Sequence, residues 1–174
     1  MTGPKIRTAE ARDRDAIVEL VEEAFTSDGR DGHEEVDVVV STWELGAAPR
    51  DLELVAVDEG VIVGHVLAAR GDLSGREVVA VAPLAVRVAH QGSGVGTALM
   101  TELLVRAEAA GLPLLLLLGD PRYYGRFGFE PSGPHGISYA PVGNGSPYFQ
   151  VRRFSGFDRS YEGRFTYCWE VGGD

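Results

Sequence analysis

Apolar residues recur along this chain with two different periods. Ile17, Leu20, Val21, Ala24 and Phe25 lie three and four apart, the spacing of one helix face, and Asp13 stands where an N-cap belongs. Val36, Val39, Val40 and Trp43 repeat that spacing and predict a second helix, although so many valines also suit a strand. Residues 27–32 between them read as a loop, and Lys5–Thr8 ahead of them as a short strand.

The period then changes. Residues 52–57 and 61–69 are β-rich and are joined by Asp58-Glu59-Gly60, a hairpin signal. Residues 71–75 read as a turn and 78–88 as a third strand. Pro83 within that strand belongs at a bulge or where the ladder opens. Val95, Leu99, Met100, Leu103, Leu104 and Ala107 restore the helical period, which stops at Gly111. Leu114–Leu118 is short, wholly apolar and flanked by proline and glycine, as a fully buried strand is. Asp120 and Pro121 then cap a short helix.

Residues 132–147 hold four glycines and three prolines and read as a loop. Two strands close the chain, 148–154 and 163–171. In the second, Phe165, Tyr167, Trp169 and Val171 alternate with polar neighbours. The order predicts a mixed α/β sheet in one domain over residues 1–174.

Composition changes this picture little. The chain has 174 residues, 44% of them hydrophobic, enough to build a core without disulfides. One cysteine, Cys168, cannot form an internal bridge, and it reads as a small core residue in the last strand. The first residues lack the basic and apolar parts of a signal peptide, and no apolar run approaches a membrane span. The expectation is a soluble, cytoplasmic protein without a membrane partner.

Charge narrows the partners further. The net charge is −10, and residues 1–44 carry 12 acidic and 5 basic side chains. That balance repels a phosphate backbone, so nucleic acid is not an expected partner. The acidic segment, with Glu34, Glu35 and Asp37 at its centre, reads either as solvated helix faces or as a rim that attracts a cationic substrate.

The sharpest chemical feature is Gln91-Gly92-Ser93-Gly94-Val95-Gly96-Thr97, which follows a strand and opens a helix. Glycines permit a tight turn and close approach of a ligand. The N–H groups of a helix start make a pyrophosphate site. Nucleotide folds fit it poorly. A Walker A loop needs a lysine, and Lys5 is the only one in the chain. A dinucleotide fingerprint needs glycine at position 97 and an acid about twenty residues later; the chain has Thr97 and a leucine run.

The stretch from Leu84 to Met100, with Gln91, Gly94 and Gly96 at the glycine-loop positions, resembles motif A of the GNAT superfamily of N-acetyltransferases. Tyr123-Tyr124-Gly125-Arg126-Phe127-Gly128-Phe129 is similar to motif B. With Gly119-Asp120-Pro121-Arg122 before it, and Ile62-Val63-Gly64-His65-Val66-Leu67 upstream, it looks like the YhbS-like branch. The resemblance implies a single-domain GNAT fold, a mixed, mostly antiparallel central sheet flanked by helices with two splayed parallel strands near residues 84–88 and 114–118, and acetyl-CoA as cosubstrate without a metal. It implies that backbone groups of Ala85, Val86 and Val88 bind the pantetheine arm and that the Val86 N–H stabilises the oxyanion. Residues Gln91, Gly92, Ser93, Gly94, Val95, Gly96 and Thr97 would hold the pyrophosphate, and Tyr124 would protonate the leaving thiolate. Tyr123 would be a packing residue or a cofactor wall, and Phe127 and Phe129 core.

The acceptor implied is a primary amine, on a small molecule or a peptide. Family members are often dimers, so a second copy of the chain is a further partner. Proton removal from the amine has no clear owner. His65 is the base candidate, expected on one strand face with Val63 and Leu67, and a satisfied structural histidine is the competing reading. Asp120 reads as a helix cap and Glu130, after the Gly-Phe pair, as turned away; His33, His90 and His135 are scattered, without metal-ligand spacing. Many members carry an asparagine near the end of the strand before motif B; Leu118 and Gly119 stand here instead. Two rival functions remain open: a non-catalytic acyl-CoA-binding or sensing module, and a nucleotide-binding protein.

Overall fold

The computed structural model describes residues 2–171. Its strands are β1 (Lys5–Thr8), β2 (Glu53–Asp58), β3 (Val61–Leu73), β4 (Arg76–Val86), β5 (Leu114–Leu118), β6 (Glu130–Pro131), β7 (Ile137–Ser138), β8 (Phe149–Arg153) and β9 (Gly163–Tyr167). The α-helices are α1 (Arg14–Ser27), α2 (Gly32–Glu44), α3 (Val95–Ala109) and the one-turn α4 (Pro121–Tyr124). Hydrogen bonding orders the sheet β1-β2-β3-β4-β5-β8-β6, with β9 pairing β3 and β7. β1–β2, β2–β3, β3–β9, β5–β8 and β6–β8 pair antiparallel, β4–β5 and β7–β9 parallel. This is the mixed, mostly antiparallel α/β fold the sequence predicts. The β4–β5 register is Ala80 opposite Leu116, and β4 runs on past Pro83, whose nitrogen has no hydrogen to give a ladder.

Contacts divide the chain into two compact units. The first runs through Ala68 and takes up again over Ala82–Arg106; the second holds Ala69–Val81 and the chain from Ala107 onward. In the first unit the helical period becomes burial: Ile17, Leu20, Val21 and Ala24 of α1 and Val39 of α2 pack on Val55, Ile62 and Leu67. Each such aliphatic side chain contributes about 1.5–3 kcal/mol. Asp13 occupies the N-cap position of α1, but its carboxylate makes no cap bond. It accepts both Arg7 nitrogens, at 2.7 and 3.0 Å, and the Glu10 N–H at 2.8 Å. The guanidinium holds this buried carboxyl below its usual range.

β3 contains one residue more than its partner can match. Val57 faces Ile62 and Ala56 faces Gly64, so Val63 is a bulge. Ile62, rather than Val63, therefore joins Leu67 in the helix-side cluster, correcting the simple alternation. The strand also continues through Leu73, with Gly71 opposite Tyr167, so the turn before β4 shrinks to Ser74-Gly75.

The second unit has an aromatic core. Tyr139, Phe149, Phe165 and Tyr167 meet one another at centroid distances of 4.7–6.1 Å. β9 ends at Tyr167, short of the predicted 171. Glu170 folds back and accepts the Tyr167 N–H at 2.7 Å and the Tyr139 hydroxyl at 2.6 Å. Cys168 and Trp169 lie in the resulting 3-10 turn, and Cys168 is half-buried rather than a core strand residue. Burial and Glu170 both push the Tyr139 phenol up. Leu118, at the end of β5, is 44% exposed, so that strand is buried for four of its five residues. Residues 132–147 contain the short β7 and two 3-10 turns.

Candidate active site

In the first unit the candidate groups are mostly backbone. Ala85 is buried and Val86 half-buried at the end of β4. Arg87 anchors the strand where it leaves the sheet: its N–H donates to Val63 C=O and its Nε to Ile62 C=O, both at 2.9 Å. The bulge thus supplies the carbonyls that the arginine reads. Val88 lies beyond, in a 3-10 turn, and its N–H points to Glu23 Oε2 at 3.4 Å. Gln91 returns its side-chain amide to Val86 C=O at 3.1 Å, and the Ser93 hydroxyl donates to His90 C=O.

Gly92 and Gly94 have φ of +74° and +91°, a region that side chains disfavour. The chain can therefore reverse twice within three residues and enter α3 at Val95. The Ala98 N–H donates to Gly94 C=O at 3.0 Å, the first bond of the helix. The N–H groups of Val95, Gly96 and Thr97 precede that bond and have no acceptor within the helix. Together with the helix dipole they suit an anion.

His65 is completely buried on β3. Its Nε2 lies 2.8 Å from Glu53 Oε1, and Trp43 Nε1 donates to both Glu53 oxygens at 3.0 and 3.2 Å. His65 Nδ1 is buried with no hydrogen-bond partner among the described residues. Sequence reading singled out His65 but missed Glu53 and Trp43; neither carries a local signal, since the three meet only through packing of α2 on the sheet. Around α2, Glu35 pairs with Arg30 at 3.2 Å and Glu22 with His33 at 3.6 Å, and burial raises the Glu35 carboxyl.

In the second unit the candidate is a side chain. Asp120 caps α4 by accepting the Arg122 N–H at 2.9 Å, and Arg122 holds its carboxyl below the usual range. Pro121 opens the helix and Tyr124 closes it. The Tyr124 ring stands edge-on to Tyr123 at 4.9 Å and to Phe129 at 6.1 Å. Phe129 is core, whereas Phe127 is only half-buried. Gly119 admits the Tyr124 ring: a Cβ there would lie 2.4 Å from Cε2. Gln150 of β8, which sequence reading overlooked, is fully buried and donates Nε2 to Gly119 C=O at 2.9 Å. Its one sequence signal is polarity between Phe149 and Val151. Glu130 is held by Arg153 and His135. Among the described residues no group of three or more His, Cys, Asp or Glu forms a metal site, and no helix is long and apolar enough to cross a membrane.

A mixed sheet thus carries a glycine turn that feeds a helix N-terminus, followed along the chain by a strand and a tyrosine-bearing turn. The chain belongs to the GNAT acetyltransferase family, whose domain model matches residues 5–132. It is 37% identical over 107 residues to the uncharacterized N-acetyltransferase YhbS of Escherichia coli K12, covering 60% of this chain and 64% of the relative. It is 38% identical over 101 residues to the uncharacterized N-acetyltransferase YjhQ of the same strain, covering 56% of each. The alignments thus span less than two thirds of these curated relatives. The fold matches the crystal structure of Escherichia coli YhbS in complex with CoA, with TM-score 0.86 and 29% identity over 99% of this chain and 94% of that one. A GNAT acetyltransferase from Brucella melitensis in complex with acetyl-CoA gives TM-score 0.78 and 28% identity over 94% and 95%.

Proposed function

We propose that this chain is an acetyl-CoA-dependent N-acetyltransferase acting on a primary amine, on a small molecule or a peptide, with residues 1–174 working as one catalytic domain in the cytoplasm. The observation that carries this reading is the likeness to the CoA complex of YhbS over 99% of the chain. The local chemistry agrees: Gly92 and Gly94 turn the backbone directly ahead of the α3 N-terminus.

In this reading Gln91, Gly92, Ser93, Gly94, Val95, Gly96 and Thr97 hold the pyrophosphate. Ala85, Val86 and Val88 offer backbone groups to the pantetheine arm. The Val86 N–H stabilises the tetrahedral oxyanion as the amine nitrogen attacks the thioester carbon. The carbon–sulfur bond then breaks, and the Tyr124 hydroxyl gives its proton to the departing thiolate; a phenol and a thiol are close enough in proton affinity for that exchange. Orientation of the two substrates supplies much of the acceleration. His65 is the base candidate of this reading; its ring is fully buried with Nε2 against Glu53, whose side chain keeps 16% exposure. A second copy of the chain is the expected protein partner.

Calorimetric titration with acetyl-CoA, with ATP and NAD as controls, tests the cofactor. Selective micromolar binding supports the reading, and thiol release in an amine screen then identifies the acceptor. Binding of ATP or NAD in preference to acetyl-CoA refutes it. Acetyl-CoA binding without turnover on any amine leaves a sensor rather than an enzyme.

A further inference from the structure

Gln150 has no place in the roles above, yet its surroundings are unusual for a glutamine. It is fully buried in β8, opposite Leu117 of β5 and Pro131 of β6. Its Nε2 donates to Gly119 C=O, and its Oε1 is buried without a hydrogen-bond partner among the described residues. An unmatched buried oxygen disfavours folding, while the amide's one bond ends on Gly119 and satisfies a carbonyl that an apolar side chain would leave bare.

Gly119 is the surface against which Tyr124 rests. A Cβ at this glycine would stand 2.4 Å from Cε2 and 2.8 Å from Cδ2 of the ring, so ring and backbone are in direct contact. The Gly119 N–H is tied to Tyr148 C=O at 2.9 Å, and Gln150 ties the carbonyl. Both peptide groups flanking this residue are thus fixed, immediately before the Asp120 cap that starts the tyrosine's own helix. Loss of the Gln150 bond frees the second peptide to rotate, and the ring must follow.

We propose that Gln150 is a positioning residue for Tyr124: by locking the Gly119 carbonyl it sets the tilt of the tyrosine ring and hence the place of the phenol oxygen. The proposal rests on the reading of Tyr124 as the proton donor. A residue acting in this way changes turnover while leaving cofactor affinity alone.

The test replaces Gln150 by methionine, which keeps length and bulk and removes the amide. Ring-13C-tyrosine spectra of the full chain, with the Tyr124 signal assigned through Tyr124→Phe, read ring position without any acceptor. Of the six tyrosines, Tyr124, its edge-on neighbour Tyr123 and Tyr148 should shift in Gln150→Met, while Tyr139, Tyr161 and Tyr167 stay in place. Thiol release from acetyl-CoA with n-butylamine as acceptor should fall about tenfold or more, with acetyl-CoA affinity kept. The double variant Tyr124→Phe/Gln150→Met should be no slower than Tyr124→Phe alone. An unmoved Tyr124 signal, a shift of all six signals, or an equal further loss in the double variant overturns the proposal. If Gln150→Met fails to fold, Gln150→Asn keeps an amide one methylene too short to reach Gly119 and is read by the same criteria. The two readings separate cleanly. If Tyr124→Phe is slow but Gln150→Met is not, positioning alone fails. If Tyr124→Phe is as fast as the parent chain while Gln150→Met still shifts its signal, the donor assignment fails.

Discussion

The two units solve the same packing problem with different side chains. Under α1 and α2 the core is aliphatic, built from Ile17, Leu20, Val21, Val39, Val55 and Leu67. The second unit closes around Tyr139, Phe149, Phe165 and Tyr167. The candidate chemistry divides in the same way. The first unit offers mainly backbone: a strand end held by Arg87 and the N–H groups at the start of α3. The second offers a hydroxyl on one ring. Backbone groups survive most side-chain exchanges and fail only when the chain path changes. A side-chain group fails when one atom is removed. Substitutions of equal size should therefore act very unequally in the two places.

The largest effect should come from Phe165→Ala, which removes the ring shared by Phe149, Tyr139 and Tyr167. Chemical denaturation should show a loss of about 3–5 kcal/mol. A loss under about 1 kcal/mol would mean the neighbouring rings collapse into the vacated space and the cluster is not a tightly packed core. Next comes Tyr124→Phe, which deletes one oxygen. Turnover should drop about a hundredfold or more, with calorimetric affinity for acetyl-CoA unchanged; parity with the parent chain would move the proton donor elsewhere. Gly94→Val forces a branched side chain onto a φ of +91°. It should weaken acetyl-CoA binding more than about tenfold, over about 1.4 kcal/mol. Ser93→Ala, in the same loop but leaving the backbone path open, should weaken it less than about threefold. Equal losses from Gly94→Val and Ser93→Ala would break the distinction between backbone and side-chain chemistry.

Much of this arrangement is legible in the sequence wherever the deciding contacts are local. The 3.6-residue period of α1 and α3, the Asp58–Gly60 hairpin, the Asp120-Pro121 helix start and the glycine turn at 92–94 are set by neighbours a few residues apart. Features decided by distant partners are not legible. The alternation through Phe165 and Tyr167 continues to Trp169, but the strand stops because Glu170 reaches Tyr139 from thirty-one positions away. The Val63 bulge exists only against the register of β2. Gln150 reads as an ordinary strand residue until Gly119 lies beside it, and Glu53 reads as a solvated acid until α2 brings Trp43 to it. Asp13 shows the same competition on a small scale: a residue suited to cap a helix is claimed instead by Arg7.

The bulge in β3 has one more consequence. Deleting a residue from a strand ordinarily turns every side chain beyond it to the wrong face. Removing Val63 would not, because Ile62 already pairs with Val57 and Gly64 with Ala56. The hairpin carries a spare residue that it could shed and still zip up in frame. What it would lose is the outturned Val63 carbonyl that receives the Arg87 N–H, so here an insertion serves as a mooring for the neighbouring strand.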